Sequence, residues 1–452
     1  MPALSLVLKA SKISVPEQEG CSSVSEATQI IFEDEEPLRG CLTERRVHQD
    51  RLLKIEELRP EILEAGDEAQ QLRRLPNDIV ERLIDEGFFR FAIPEDLGGE
   101  NASSMETVEI LEHMAAIDAS VAWNVMLGSE INAMAAGGMD PKLAQEVYLD
   151  NPRVVMCGGG GPGSTPPRAE RQSDGSVKVW GQSTFISGCH NASYCFMAAP
   201  LMKGDEPELN DDGMPVMKLW FLPRDQWEIV ETWDVAGMRG SGSDDVKTEG
   251  GIVDAKWTGV DLWTVPANYP NPVYRMPTAL RLAYNKVAIS LGIARGALQV
   301  FSDIAKNKIP MLASASLAKR GIAQYRMGVA EAKYRAARAF VMETLNAVEE
   351  ELTGNDNLPS AKTTQDARLA CVHGANECME VVDLLHNTAG TTGMRMYSPL
   401  ERKLRDAHGA ATHRWVAHPL YEDLGSILLG NEPGPEFAGG AGGPTGPKPA
   451  KG

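Results

Sequence analysis

The sequence predicts a mainly helical α+β fold in which two helical parts flank a central β domain. Three observations predict it. Apolar residues recur every three or four positions from about residue 45 to residue 139, the texture changes to short β-rich runs near residue 151, and the helical period returns at Thr278. The segments that follow are an N-terminal extension (1–44), a helical domain (45–150), a β domain (151–275), a helical bundle (276–430) and a tail (431–452).

Residues 1–44 show no sustained periodicity and read as a mobile or loosely docked extension. Their apolar run from Leu4 to Leu8 is interrupted by Lys9 and Lys12 and followed by acidic Glu17 and Glu19, which makes a poor signal peptide. In the first helical domain Leu52, Ile55, Leu58 and Ile62 share one face, and a second run passes through Ile79, Leu83 and Ile84. Ile93-Pro94-Glu95-Asp96-Leu97-Gly98-Gly99 reads as a turn, because proline fixes φ and glycine admits positive φ. A further helical run leads to Asp118 and Trp123. The β-like runs are 153–156, 177–180, 194–198 and 216–222, and the insert ends near 265–272, where prolines and asparagines cluster. Beyond Thr278, residues Leu280, Tyr284, Val287, Leu291, Ala294, Leu298 and Phe301 form one apolar stripe. Further helices are expected over 316–352 and 364–388. The last stretch, 430–452, is rich in Gly, Pro and Ala and reads as a disordered tail.

At 452 residues the chain can hold two or three domains with an ample core. It has no run of about 18 uninterrupted apolar residues, so no transmembrane span is expected. A net charge of −19 disfavours nucleic acid and anionic membrane surfaces as partners and leaves small molecules as the expected ligands. The 7 cysteines are odd in number and lack framework spacing, which suits unpaired thiols in a reducing cytoplasm. Cys371, His373 and Cys378 approach a metal spacing, yet no second ligand pair matches them, and no metal is expected.

Four segments carry more information than their composition. Gly158-Gly159-Gly160-Gly161-Pro162-Gly163-Ser164 lacks the Lys and Ser/Thr of a phosphate loop and is expected to be a mobile or ligand-covering loop. Phe185-Ile186-Ser187-Gly188-Cys189-His190 ends a strand with a hydroxyl and bare backbone, which suits either a ring ligand or an ordinary Ser-Gly turn. Gly237-Met238-Arg239-Gly240-Ser241-Gly242-Ser243 is a loop whose backbone can approach a ring or anion, with Arg239 either a fixed charge for it or solvated. His408, His413 and His418 are five apart, a net rotation of about 140° per step, so they cannot share a helical face as a metal site. A single histidine among them suits proton transfer or a structural role.

Together these segments resemble the acyl-CoA dehydrogenase fold and, within it, the two-component flavin monooxygenases. The resemblance covers about 45–430. It rests on Leu75-Pro76, Ile93-Pro94 to Gly98-Gly99, Asp118 to Trp123, Phe185-Ile186-Ser187-Gly188, the glycine loop with Arg239, and Gly292-Ile293-Ala294-Arg295-Gly296-Ala297-Leu298. It implies a C-terminal four-helix bundle, with flavin held where three domains meet. Acyl-CoA dehydrogenases place a catalytic glutamate after the C-terminal Arg-Asp, where this chain has Arg414, or near the helix start at Thr278-Ala279-Leu280. Neither position supplies a base. The hydroxylase branch places a histidine after that Arg-Asp, and His413, following Arg405-Asp406, fits.

The resemblance therefore implies an oxygenase component that takes reduced FMN or FAD, with FMN slightly favoured, from a separate NAD(P)H-dependent flavin reductase. With O2 it forms a flavin hydroperoxide and inserts one oxygen atom into an aromatic or heteroatom-containing small molecule. His413 and Ser187 become the catalytic candidates, His413 orienting or deprotonating a substrate hydroxyl and Ser187 contacting the flavin's reactive edge. Phe185, Ile186, Ser187, Gly188, Arg239, Gly240, Ser241, Arg295, Gly390 and Thr391 become the cofactor candidates, and Trp123, Glu130, Asn132 and His190 the substrate candidates. Two departures weigh against a simple phenol: Ser183 stands where many hydroxylases of this branch have tryptophan, and Glu130 and Asn132 stand where a second histidine is common. The alternatives are an FAD-dependent thioester oxidoreductase and a non-catalytic ligand-binding member of the fold. The family implies a homotetramer or homodimer, with the stripe from Leu280 to Phe301 expected to be partly interface.

Overall fold

The computed structural model describes residues 46–432, apart from Gly160, Thr258 and residues 211–212, 262–267 and 354–357. The expected extension over 1–44, nearly all of the tail and most of the point near 265 where the β insert was expected to end lie outside the described residues.

The first helical layer consists of α1 (Arg46–Leu72), α2 (Asn77–Asp85), α3 (Ser104–Ile117), α4 (Ala119–Gly138) and α5 (Pro141–Leu149). Its helix starts are written into the sequence. Ser103 and Glu106 form a reciprocal capping box on α3, and the Asp118 carboxylate accepts the Ser120 and Val121 amides at the start of α4. Asp140 caps α5, with Pro141 at the first turn. The helix α4 is apolar on all sides and correspondingly buried along nearly its whole length.

The sheet contains β1 (Met156–Gly159), β2 (Gly161–Pro162), β3 (Arg168–Arg171), β4 (Val177–Thr184), β5 (Tyr194–Lys203), β6 (Glu206–Pro207), β7 (Met217–Pro223), β8 (Glu228–Val230), β9 (Asp245–Val253) and β10 (Val260–Asp261). Its main path runs β10-β7-β5-β3-β4-β9-β8, with β1 and β6 on β5 and β2 on β4. The glycine-rich segment is thus not the expected loop. Met156–Gly159 pairs in parallel with β5, and Gly161–Pro162 pairs with the end of β4. Glycine serves there because β1 lies directly under the Phe196 ring, where a Cβ on Gly158 would overlap it.

The C-terminal helices are α6 (Thr278–Asn307), α7 (Gly321–Leu352), α8 (Ala361–Ala389), α9 (Pro399–Ala411) and the short α10 (Leu420–Leu428), which packs Leu420 and Leu424 against Val372 of α8. By length and composition α6 is apolar enough to cross a membrane, yet it runs through the centre of the helical core between α3 and α8. The stripe from Leu280 to Phe301 is buried by this chain's own helices, so it is core and not the expected partial interface. Gly292 and Gly296, four apart and therefore on one face, let α6 lie against α3 so closely that a methyl at either would overlap the carbonyls of Glu112 or Ala116.

Candidate functional site

Where β4 ends, Phe185 turns into the left-handed region (φ 60) and carries a ring that is 69 % exposed, edge-on to Trp233 at 6.1 Å. An L-residue in that conformation is strained by about 1–2 kcal/mol. The strain redirects the chain so that Ile186 is fully buried and Ser187 faces inward. The amides of Ile186 and Gly188 then donate to the carbonyls of Asp244 and Ser241, sewing the strand end to the glycine loop.

That loop is held from below by α9. Gly237 lies so close to the Arg405 carbonyl that no side chain fits, Met238 also has positive φ (56), and its amide donates to the Asp406 carboxylate at 2.6 Å. Arg405 donates to the Ala236 carbonyl and to Glu401. Burial, with Asp118 nearby, pushes Asp406 up to about 6, against the Met238 N–H and the Arg405 and Arg402 charges. The Arg405-Asp406 landmark is therefore architecture: it sets the loop that carries Ser241 and Ser243.

Those hydroxyls converge on Ser187. Ser187 Oγ lies 2.6 Å from Ser243 Oγ, which lies 2.7 Å from Ser241 Oγ, and Trp123 Nε1 donates to Ser187 Oγ at 3.1 Å. The Trp123 indole also meets the His413 ring edge-on, with centroids 5.6 Å apart. Residues 123, 187, 243 and 413 thus meet from all three parts of the chain. His413 is half-buried just past α9, and its Nδ1 accepts the Trp415 N–H at 3.4 Å. Burial, reinforced by the positive charges of Lys286 and Arg414, lowers His413 to about 3, so its imidazole is neutral at working pH. With Nδ1 accepting, the favoured neutral tautomer carries its proton on Nε2.

Glu130 lies two turns along α4 from Trp123, and its Oε1 pairs with Lys286 Nζ of α6, both side chains almost fully buried. Burial raises Glu130 and lowers Lys286 from their ordinary values, and each opposes the other's shift. Asn132 is wholly buried, and its amide holds the Phe89 and Val154 carbonyls. His190 pairs with Asp244 at 2.7 Å beside a cleft of about 700 Å³ that it lines with Asn191, Tyr194 and Arg224. Arg239 donates to the Gln70 and Val235 carbonyls, and Asn124 donates to the Gly240 carbonyl. Arg295 lies nine residues beyond Lys286 on α6, about 14 Å of helix rise. Gly390 and Thr391 form an exposed turn after α8. None of these last three joins the Ser187–Trp123–His413 cluster.

Sequence reasoning missed Lys286, Ser243 and Asn124 as parts of the site. Lys286 had a visible signal, a lysine set among apolar neighbours on a core helix. Among the described residues no group of three His, Cys, Asp or Glu side chains is placed to hold a metal. Arg414, at the position where a dehydrogenase glutamate was sought, is an exposed cation over the Trp415 ring, and Glu422 is exposed on α10.

The chain matches the acyl-CoA dehydrogenase N-terminal domain over residues 55–140 and the acyl-CoA dehydrogenase C-terminal domain over residues 285–418. It is 27 % identical to indole-3-acetate monooxygenase of Acinetobacter baumannii, covering 86 % of this chain and 97 % of the relative. It is 29 % identical to indole-3-acetate monooxygenase of Pseudomonas putida, covering 82 % and 91 %. It is 25 % identical to the oxygenase component of p-hydroxyphenylacetate 3-hydroxylase of A. baumannii, covering 92 % and 97 %. Among solved structures it resembles the HsaA monooxygenase from M. tuberculosis (TM-score 0.75, 24 % identity, 86 % of this chain and 99 % of that one). It also resembles XiaF from Streptomyces sp. in complex with FADH2 and glycerol (TM-score 0.74, 18 % identity, 86 % and 96 %).

Proposed function

We propose that this chain, which belongs to the acyl-CoA dehydrogenase fold family, is the oxygenase component of a two-component flavin-dependent monooxygenase that oxidises a small aromatic or heteroatom-containing molecule. The observation that carries the reading is the meeting of the Ser187 hydroxyl and a neutral His413 across Trp123, where a thioester dehydrogenase would need a carboxylate.

The residues present fit a flavin. The exposed Phe185 ring beside Trp233 offers an apolar edge to a planar ligand, and Ser187 presents a hydroxyl immediately beyond it. Bound reduced flavin supplies the electrons that, with O2 as oxidant, transfer one oxygen atom to substrate and leave the other as water. Because Ser187 Oγ accepts the Trp123 N–H, its own hydrogen is directed to Ser243 or outward to a ligand. His413, neutral and with its proton on Nε2, donates to an oxygen or anionic atom of the substrate and orients it; proton abstraction would use the other tautomer, which costs only the weak Trp415 contact. The buried walls of α4 and α6 keep water from this chemistry.

A separate NAD(P)H-dependent reductase follows from the reduced state of the flavin required, and the relative described as an oxygenase component supports it. The same proposal includes a homodimer or homotetramer, supported by exposed Met311, Leu312, Met394, Met396 and Tyr397 on two turns joined by the Lys308–Ala389 hydrogen bond. It also includes a cytoplasmic location, which suits the unpaired, buried cysteines. Sedimentation that returns a monomer would remove the oligomer.

The direct test mixes protein and anaerobically reduced FMN or FAD with oxygenated buffer in a stopped-flow spectrometer. A transient absorbance that outlives oxidation of free reduced flavin, and is shortened by Ser187→Ala, is expected. Oxidation at the free-flavin rate with both cofactors would sink the proposal.

A further inference from the structure

We infer that Glu130, held by Lys286, is the anchor for the substrate and selects an aromatic molecule bearing a ring N–H or phenolic O–H. The inference rests on the proposed oxygenase reading and deepens it.

Three observations meet on this residue. First, Glu130 Oε1 takes the Lys286 ammonium, but Glu130 Oε2 is buried and completes no well-formed hydrogen bond among the described residues, with the Asn285 side chain and the Arg281 charge as its nearest polar support. A carboxylate oxygen in that state forfeits a charge-assisted hydrogen bond inside a low-dielectric interior, a cost that a donor on a ligand removes. Second, the residual exposure on α4 concentrates along one stripe, Trp123 (7 %), Leu127 (9 %), Glu130 (5 %) and Met134 (7 %), with Ala133 beside it, whereas Val125, Met126, Ala135 and Ala136 are at 0 %. Spacings of four, three and four define a single helix face, so Glu130 shares its face with the Trp123 side chain that meets Ser187 and His413. Third, the Lys286 charge contributes to depressing the His413 imidazole, in keeping with an ion pair that approaches the same space from the α6 side.

Geometry then assigns complementary tasks. His413 offers a donor just past the end of α9, Glu130 offers an acceptor from α4, and Leu127 between Trp123 and Glu130 offers an apolar wall for a ring. Seven residues of α4 separate the Trp123 and Glu130 positions by about 10 Å of rise, a span that fits a one- or two-ring aromatic molecule. Lys286 is a positioning residue: it fixes which carboxylate oxygen is occupied and which is left for the ligand.

The test compares matched probes that differ only in the donor, indole against 1-methylindole and phenol against anisole, titrated calorimetrically into the full chain without turnover. The wild-type protein is expected to favour the donor-bearing member of at least one pair by about 10- to 100-fold, as for a hydrogen bond to a charged group. Glu130→Gln keeps the side-chain length and an oxygen for Lys286 while placing an NH2 where the free oxygen was, and is expected to abolish the preference. Should that variant melt early, Glu130→Leu with Lys286→Met removes the buried pair as a unit and gives the same loss of preference. Equal binding within both pairs, no binding of any probe, or a preference that survives both variants overturns the inference. The stopped-flow transient of the wild-type protein is measured separately, without substrate. Its absence from the wild type sinks the oxygenase reading, while the probe ratio still reports on Glu130.

Discussion

Asp406 and His413 lie seven residues apart near the end of one helix, and their surroundings are opposites. Asp406 is buried and meets the Met238 amide, with Arg405 beside it spent on Ala236 and Glu401. The His413 side chain is half-buried and makes one weak hydrogen bond to protein among the described residues, while Glu130 on α4 keeps a carboxylate oxygen without a well-formed hydrogen bond. A polar group whose capacity is consumed by the chain is building the fold, and one whose capacity is left over is waiting for something else. The most recognisable pair in this stretch of sequence is thus the less chemical one.

The contrast can be broken by substitutions that separate activity from stability. The largest effect is expected for His413→Ala: kcat/KM for the oxygenated substrate falls roughly 100- to 1,000-fold, about 3–4 kcal/mol, while the urea midpoint moves little. Asp406→Ala reverses the pattern, losing about 1–3 kcal/mol of stability because the Met238 N–H is left buried and unmatched. If both variants lost stability equally, the distinction between the two environments would collapse. Phe185→Gly sharpens it from the cofactor side. Relief of the left-handed backbone is expected to raise stability by about 1 kcal/mol, while flavin affinity, read by fluorescence quenching, weakens.

The smallest effect is in pH, and its two contributions have opposite signs. His413 is depressed to about 3, so its contribution to stability is present above about 6.5 and is lost as pH falls toward 3, by about 1 kcal/mol between pH 6.5 and 5.5. Asp406 is raised to about 6, so its contribution is present below about 3.8 and is lost as pH rises through 6. In urea titrations between pH 4 and 7, His413→Gln and Asp406→Asn are expected to change the slope of stability against pH in opposite directions. Changes of the same sign would show that one of the two environments has been misread.

The helix–sheet–helix order was legible because periodicity survives wherever one face is buried, as in α1 and α6. The capping residues Ser103, Asp118 and Asp140 lay equally open to reading. The strands β3 and β9 were not, since Arg168–Arg171 buries only Ala169 and Asp245–Val253 carries charges and two glycines, leaving no clear alternation. Ser187 and His413 emerged only through resemblance, because each alone is as plausible in a turn as in a site. Glu130 was visible as a polar residue on an apolar helix, but its partner Lys286 lies 156 positions away, and nothing in local spacing joins them. The loop assignment for the glycine-rich segment failed because glycine was serving close strand packing, which composition reports in the same way as flexibility.

The tight seating of Gly292 and Gly296 against α3 has a consequence for how the molecule is made. Those contacts join segments about 180 residues apart, with the whole β domain between them in the chain. At ribosomal speeds of about 5–20 residues per second, α3 leaves the ribosome on the order of ten to forty seconds before its partner helix exists. During synthesis its small-residue face is therefore open to proteases and chaperones. Arrested nascent chains ending before residue 278 are expected to be cleaved within 104–138, and chains extended past residue 307 to be protected there.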